Sequence, residues 1–477
     1  MKAPHVFILL LVLIVASALL YDQPYGNTDT PETVNITYWE KWTGFEGEAM
    51  KAGIEYFNDK KVKNKKGQII HCDCLTTTNV DRKSLMAIAG GTPPDLCGFW
   101  TFNTNVFADM GALTPLDDFI ARDGYDMNQL VDVYRKTCMY RAAGDDKEHV
   151  YCLITTPASI ALHWNKEMFK EAGLDPERPP RTIEELNEYN EKLTKRDANG
   201  KIVQMGFLPI EPGWWNWAWG YFFDGKLNDG LEKLTANDPR NIKAWEWVVS
   251  FGDDKECRTK EEKDQYRARL QAFSSSFSSA FDSPQNAFMA GKVAMVLQGV
   301  WMANFIRFHN PHLQWGCGPM PAGFDTQGQP VTIAEADVIS IPKGCKHPEE
   351  AWEVIKFLNS REGQEYVCGR AVNTVTGKVN SGGHGKQTAF KENTPGWIEQ
   401  HPHQYLRTFI ELAKSKNAQY TPQLPIWEEY RRELNDAFDR AWLGKATPAE
   451  ALQSVQNRMQ PKLDRALKIR SLHEGKR

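Results

Sequence analysis

The sequence predicts an α/β protein with mostly parallel sheets, on three observations. β-rich apolar runs alternate with helix-patterned segments from residue 34 onward. The same alternation resumes after residue 150. Helix starts and stops carry clear punctuation, with Thr-x-x-Glu, Ser-Pro, His-Pro and Thr-Pro at starts and Gly at ends.

The first strand is 34–39, VNITYW, rich in β-branched and aromatic residues. A helix over 44–58 follows, with Met50, Ile54 and Phe57 at i, i+4 and i+7. A second strand covers 68–75, and a second helix 81–90, closed by Gly90-Gly91 and Pro93-Pro94. Residues 95–99 form a third strand. Strand character returns over 151–164, then a short helix over 165–172 is stopped by Gly173. Thr182 and Glu185 form a capping box for a helix that buries Ile183, Leu186 and Leu193. Ser283-Pro284 reads as an N-cap with proline at the first helical position, ending near Gly291 before a strand over 293–297. His347-Pro348 opens a helix with Ala351, Ile355 and Leu358 on one face. Thr447-Pro448 opens the last one, with Leu452, Val455 and Met459 inward and a bend expected at Pro461. No short-period repeat is present.

A chain of 477 residues corresponds to two or three domains at ~150 residues each. Lys+Arg of 57 against Asp+Glu of 61 gives a net charge of −4. That excludes the broad basic footprint a nucleic-acid partner requires. The 16 Trp exceed what cores need and suggest aromatic binding surfaces. No G-x-x-x-x-G-K-[ST] loop is present, so no ATP hydrolysis is expected.

Residues 6–20 are one apolar run, preceded by Lys2 and containing Ala16-Ser17-Ala18. The run is short for a bilayer span and suits a signal peptide. Residues 1–22 are therefore read as an export signal, with an uncleaved N-terminal anchor as the competing reading, and 23–33 as a linker. The protein is expected outside the cytoplasm, periplasmic or extracellular. Nine cysteines include Cys138 and Cys152, which flank a polar turn and form the first candidate disulfide; buried thiols are the alternative. His71-Cys72-Asp73-Cys74 lacks a second ligand pair at zinc-like spacing, so no metal is expected.

Five segments in order resemble a known family. They are the opening strand ending in Trp39; AIAGGTPPD (87–95) with GALTPLD (111–117); WNKEMF (164–169) with Ala172-Gly173-Leu174; FMAGKVAM (288–295) through Gly299-Val300-Trp301; and IPKG (341–344) with the helix after Pro348. The chain resembles the extracellular solute-binding proteins of ABC sugar importers, the group that includes maltose-binding protein, over about residues 34–465. The resemblance implies the two-lobe periplasmic-binding-protein fold (type II). Each lobe is then a mostly parallel sheet flanked by helices, with the ligand cleft between them. Lobe 1 would be 34–156 and 321–370, and lobe 2 would be 157–320 and 371–477. It further implies a monomer without cofactor that delivers a carbohydrate to the transmembrane subunits of an ABC permease.

Candidate ligand contacts follow from the loops after strands, where ligands sit in open α/β sheets. Glu40, Lys41, Trp42 and Thr43 close the first strand, and Trp100 and Asn103 follow the third. Phe102 and Asn103 stand where the resemblance leads one to expect a maltodextrin-type Asp or Arg. Glu211 to Trp219 places four Trp within six residues; Glu211, Trp214 and Trp215 are candidate contacts, with Trp217 and Trp219 read as core. Trp301, Trp427, Glu335, Asp337 and Thr156 complete the set. Sugars need flat apolar faces for their C–H surfaces and polar groups for their hydroxyls, which this mixture supplies. Two rival readings share these features. One is an extracellular glycan-active enzyme, which needs two carboxylates across a cleft. The other is the same fold holding a non-sugar solute such as a phosphorylated polyol.

Overall fold

The computed structural model describes residues 29–474 apart from 254–256, 279, 281 and 381–382. The expected export signal at 1–22 lies outside the described residues. No helix among the described residues is long and apolar enough to cross a membrane.

Eight strands carry the architecture: β1 (Thr33–Glu40), β2 (Ile69–Thr76), β3 (Leu96–Trp100), β4 (Leu153–Asn165), β5 (Ile202–Phe207), β6 (Val293–Gly299), β7 (Trp315–Gly318) and β8 (Thr332–Ser340). They pair in the order β2-β1-β3-β8-β4-β6-β5, with β7 also on β4. β1 runs parallel to β2 and β3, and β5 parallel to β6. β4 and β8 run antiparallel to each other and to their neighbours β6 and β3. These two long strands join the halves. The first part of β4 pairs with β8, and Ile160–Trp164 pair with β6. β4 is buried at all 13 positions, so its polar residues, Thr155, Thr156, Ser159 and His163 among them, take hydrogen-bond partners inside the protein. β1 instead alternates buried and half-buried residues, as a strand with one covered face does.

The helices used below are α1 (Gly44–Asp59), α2 (Val80–Ala89), α3 (Thr101–Asp109), α4 (Lys166–Glu171), α5 (Ile183–Leu193), α6 (Pro239–Ser250), α7 (Met302–His309), α8 (Pro348–Leu358), α9 (Trp427–Trp442) and α10 (Pro448–Glu474). Met50, Ile54 and Phe57 bury their α1 face. Thr182 caps α5 through the Glu185 backbone N–H, while the Glu185 carboxylate turns back to the Arg181 backbone, one residue before the cap. α10 continues through Pro461.

Two large apolar cores form. One joins Val34, Ile36 and Phe57 to Ile154, Val338 and Trp352, and also takes in Ala389, Phe390 and Ala413. The other joins Leu162, Phe207 and Trp219 to Met295, Phe438 and Leu452. The molecule is thus a two-lobe α/β protein.

Two local expectations differ. The segment after Ser283-Pro284 is a series of turns, not a helix. The Asn286 side chain accepts from the Phe288 backbone N–H at 3.1 Å and donates to Glu211 at 3.3 Å, an alternative to helical pairing. Cys138 and Cys152 lie at either side of the hairpin Met139–Tyr140 with His149–Val150, as the polar turn implies, but both are free thiols.

Candidate functional site

A cavity of about 470 Å³ opens between the two cores. From the first lobe it receives Trp42, Glu46 and Trp100. From the second it receives Trp214, Trp215, Trp217, Trp301, Trp427 and Arg431. The joining strands supply Thr156, Glu335 and Asp337. Three of the aromatics arrive at the end of a strand or the start of a helix: Trp100 ends β3, Trp301 follows β6, and Trp427 opens α9.

The rings brace one another. Trp214, Trp215 and Trp301 form a trio with centroids 6.1 to 6.5 Å apart. Trp217 meets Trp427 edge-on at 4.9 Å. Trp42 meets Trp100 edge-on at 6.1 Å, and Trp100 stacks on Phe102 at 5.7 Å. Such pairs each add ~0.5–1.5 kcal/mol beyond area burial, enough to hold the rings in place. Trp214 stays 38% exposed, which puts it at the mouth. Phe102 rides on α3 from the first lobe yet packs against the second core, beneath the Arg431 guanidinium at 5.6 Å.

One end of the cavity is ionic. Lys386 Nζ lies 3.0 Å from Asp337 and 3.8 Å from Glu46. Lys41 Nζ lies 3.2 Å from the other Asp337 oxygen and 3.6 Å from Glu40. Thr156 donates its hydroxyl to Asp337. Burial opposes ionisation of Asp337, but Lys386 and Lys41 outweigh it and hold the carboxyl well below its ordinary range. Glu46 is lowered in the same way, burial being overcome by Lys386 and His384. Glu335 behaves oppositely: burial raises its pKa, although Thr421 and Thr101 hydroxyls donate to it at 2.6 and 3.1 Å.

The structure brings together Trp42, Trp100, Thr156, Trp214, Trp215, Trp301, Glu335, Asp337 and Trp427 of the expected contacts. Glu40, Lys41, Thr43, Asn103 and Glu211 do not line the cavity. Glu40 is buried, accepting from the Tyr38 hydroxyl and from the Trp42 backbone N–H at 3.0 Å. Lys41 is buried beside Asp337 and Glu40 as an ion pair, its Nζ making no hydrogen bond among the described residues. Thr43 occupies the N-cap position of α1 without a side-chain cap. Asn103 sits in the first turn of α3, its Oδ1 buried without a hydrogen-bond partner among the described residues. Glu211 is buried and pairs with Asn286, burial pushing its carboxyl up to about 8.

Trp217 and Trp219 both lie in the second core, as read, and Trp217 also reaches the cavity. The segment Asn216–Phe223 is a 3₁₀ helix that buries both rings and leaves Trp217 alone of the two on the cavity wall. Glu46, Phe102, Lys386, Thr421 and Arg431 were missed. Arg431 had a signal, since it stands at i+4 from Trp427 on α9. Lys386 had none, because it sits in an aperiodic stretch beside Gly385.

A family model described as bacterial extracellular solute-binding protein matches residues 75–365. The chain belongs to that family. Among relatives of this solute-binding protein, a binding protein of Brucella abortus (strain 2308) is 24% identical over 370 residues, covering 77% of this chain and 79% of its own. The sn-glycerol-3-phosphate-binding periplasmic protein UgpB of Pectobacterium atrosepticum is 22% identical over 469 residues, covering 93% of each. Among solved structures, CpMnBP1 with mannobiose bound is 26% identical with a TM-score of 0.66, covering 89% of this chain and 99% of that one.

Proposed function

We propose that this solute-binding protein captures a carbohydrate, an oligosaccharide, in the cavity between its lobes and delivers it to the transmembrane subunits of an ABC permease. The observation that carries the reading is the cavity wall itself: seven Trp rings of the second and first lobes facing a few polar groups on the joining strands. Trp42, Trp100, Trp214, Trp215, Trp301 and Trp427 are assigned to the apolar faces of sugar rings, and Thr156, Glu335 and Asp337 to hydroxyls. Because the ligand touches both lobes, it stabilises the closed arrangement over an open one. The mannobiose-bound relative supports the carbohydrate class. The lobe boundaries 34–156 with 321–370, and 157–320 with 371–477, belong to the same proposal. So do export by the N-terminal segment, action as a monomer and the lack of catalysis.

Two of the cavity carboxylates, Glu46 and Asp337, are already engaged by Lys386, which leaves them poorly suited to proton transfer. The test is calorimetric titration with neutral mono- and oligosaccharides, followed by chromatography of the sugar. Binding with recovery of intact sugar is expected. Hydrolysed sugar, or no saccharide binding at all, overturns the reading. The UgpB relatives favour a second candidate, a phosphorylated polyol.

A further inference from the structure

The cavity between the lobes stops at Phe102. On the far side of that ring lies a separate chamber of about 10 Å³, lined by Thr101, Asn105, Thr137, Thr421 and Gln423 besides Phe102. That is room for about one water. Phe102 and Thr421 line both spaces, so these two side chains are the wall between them. The wall is braced from both lobes. The Phe102 ring stacks on Trp100 with the planes 4° apart, and the Arg431 guanidinium lies over it at 5.6 Å. Phe102 stands in the first turn of α3, a first-lobe helix, yet packs against the second core. A ring held by an indole, a guanidinium and a core keeps one position. Elsewhere the cavity reaches solvent, at Trp214.

The chemistry changes across this wall. Every residue of the chamber other than Phe102 is polar and uncharged. Thr101 and Thr421 donate to Glu335 at 3.1 and 2.6 Å, and Thr137 donates to the Tyr134 carbonyl at 2.7 Å. A hydroxyl that donates keeps lone pairs for a further donor. Gln423 uses its Nε2 on the Lys136 and Met139 carbonyls, at 3.1 and 2.7 Å, so its amide is fixed in place. Hydroxyl and amide groups of this kind suit the hydroxyls of a sugar, which both donate and accept. The Phe102 ring separates them from the cavity.

We infer that Phe102 is the specificity-determining residue for ligand length: its ring stops the saccharide at this end of the cavity and withholds the polar chamber as a further subsite. The inference rests on the carbohydrate reading above and adds the length limit and the residue that sets it. Removing the ring joins a ring-sized space to the chamber. One more sugar unit then reaches the threonine hydroxyls and the Gln423 amide.

The experiment is calorimetry on the full-length protein with linear manno-, cello- and maltooligosaccharides, each from the disaccharide to the heptasaccharide. Native affinity is expected to rise with length and then stop at one chain length. Phe102→Ala is expected to carry the rise one unit further, by about 3- to 10-fold for that unit, the range of one added hydrogen bond. Phe102→Tyr keeps the ring and should keep the native stop. Phe102→Leu opens the wall less and keeps the core filled. It is expected to show the same shift at smaller size, and it decides the matter if Phe102→Ala does not fold. The readout is the ratio of affinities between successive lengths; a merely structural loss weakens every length alike and leaves that ratio unmoved. Folded variants that stop where the native protein stops, or a native affinity still rising at the heptasaccharide, overturn the inference and leave the carbohydrate reading standing. No binding of any saccharide overturns both.

Discussion

Lys386 Nζ lies 3.0 Å from Asp337 Oδ2, and both side chains are almost wholly buried at the junction of the lobes. The pair is not isolated, since Lys41 reaches the second Asp337 oxygen and Glu46 faces Lys386 from α1. The cluster joins β8, the end of β1, the first turn of α1 and the loop before Ala389. It therefore fixes several elements relative to one another at the edge of the cavity.

Lys386→Met leaves Asp337 and Glu46 with one cation too few. Breaking a buried pair from one side costs ~3–5 kcal/mol, because the remaining charge is stranded. Urea denaturation should show a loss of that order. The sign with pH follows from the depressed carboxyls of Asp337 and Glu46. Their contribution is full above the ordinary carboxylate range and is lost as pH falls through their lowered folded values. The stability gap between the native protein and the variant should therefore narrow as pH falls through that range. A gap that stays constant into acid would dissociate the cluster from stability.

Glu211 gives the opposite pH signature. Burial raises its carboxyl to about 8. Its contribution is present below the unfolded value near ~4.3 and disappears as pH climbs through the folded one. Between pH 5 and 9 the native protein should lose a few kcal/mol from this source. Glu211→Gln keeps a hydrogen-bonding group beside Asn286 without the charge, and its melting temperature should vary less over that interval. Parallel native and variant profiles would show that Glu211 ionises freely.

Gly299 sets the position of Trp301. A methyl group there would sit 2.3–2.5 Å from three atoms of the Trp301 ring, far inside contact distance. Gly299→Ala must displace the indole from the trio with Trp214 and Trp215. Sugar affinity should fall by about tenfold or more, with an overpacking cost of only ~1–3 kcal/mol. Retained affinity in a folded variant would mean that Trp301 takes no part in binding.

The sequence exposed the strands and most aromatic groups for physical reasons. β1 alternates buried and half-buried residues because only one face is covered, while β4 is buried on both faces and mixes apolar residues with Thr, Ser and His, so it reads as strand-like stretches. Trp100, Trp301 and Trp427 sit where strands end and helices begin, so a pattern of elements is enough to locate them. Lys386 is different, since its meaning comes from meeting Asp337, 49 residues earlier in the chain, and no local period encodes that encounter. In the Trp-rich segment α and 3₁₀ spacing distribute the same residues over different faces, so the core placement of Trp217 and Trp219 was legible but the edge that Trp217 shows to the cavity, set by packing against Trp427, was not. After Ser283-Pro284, Asn286 supplies side-chain hydrogen bonds that compete with the helix the dipeptide announces.

Arg470 ties the end of α10 to the other lobe. The body of this helix packs in the second core through Leu452, Val455, Met459 and Leu463. Near its end, the Arg470 guanidinium donates to the Arg141 carbonyl and lies 3.4 Å from the Tyr140 hydroxyl, with Asp109 at 4.0 Å. Arg141, Tyr140 and Asp109 all come from the first lobe. Arg470 is buried despite its charge, which requires these partners to be in place. Arg470→Ala removes charge-assisted hydrogen bonds of ~1.5–3 kcal/mol. The last turns of α10 should then exchange their amide hydrogens faster, while the turns around Leu452 and Val455 keep their native protection. A helix held only by its own lobe would show no change at either end, and that result would remove the tie.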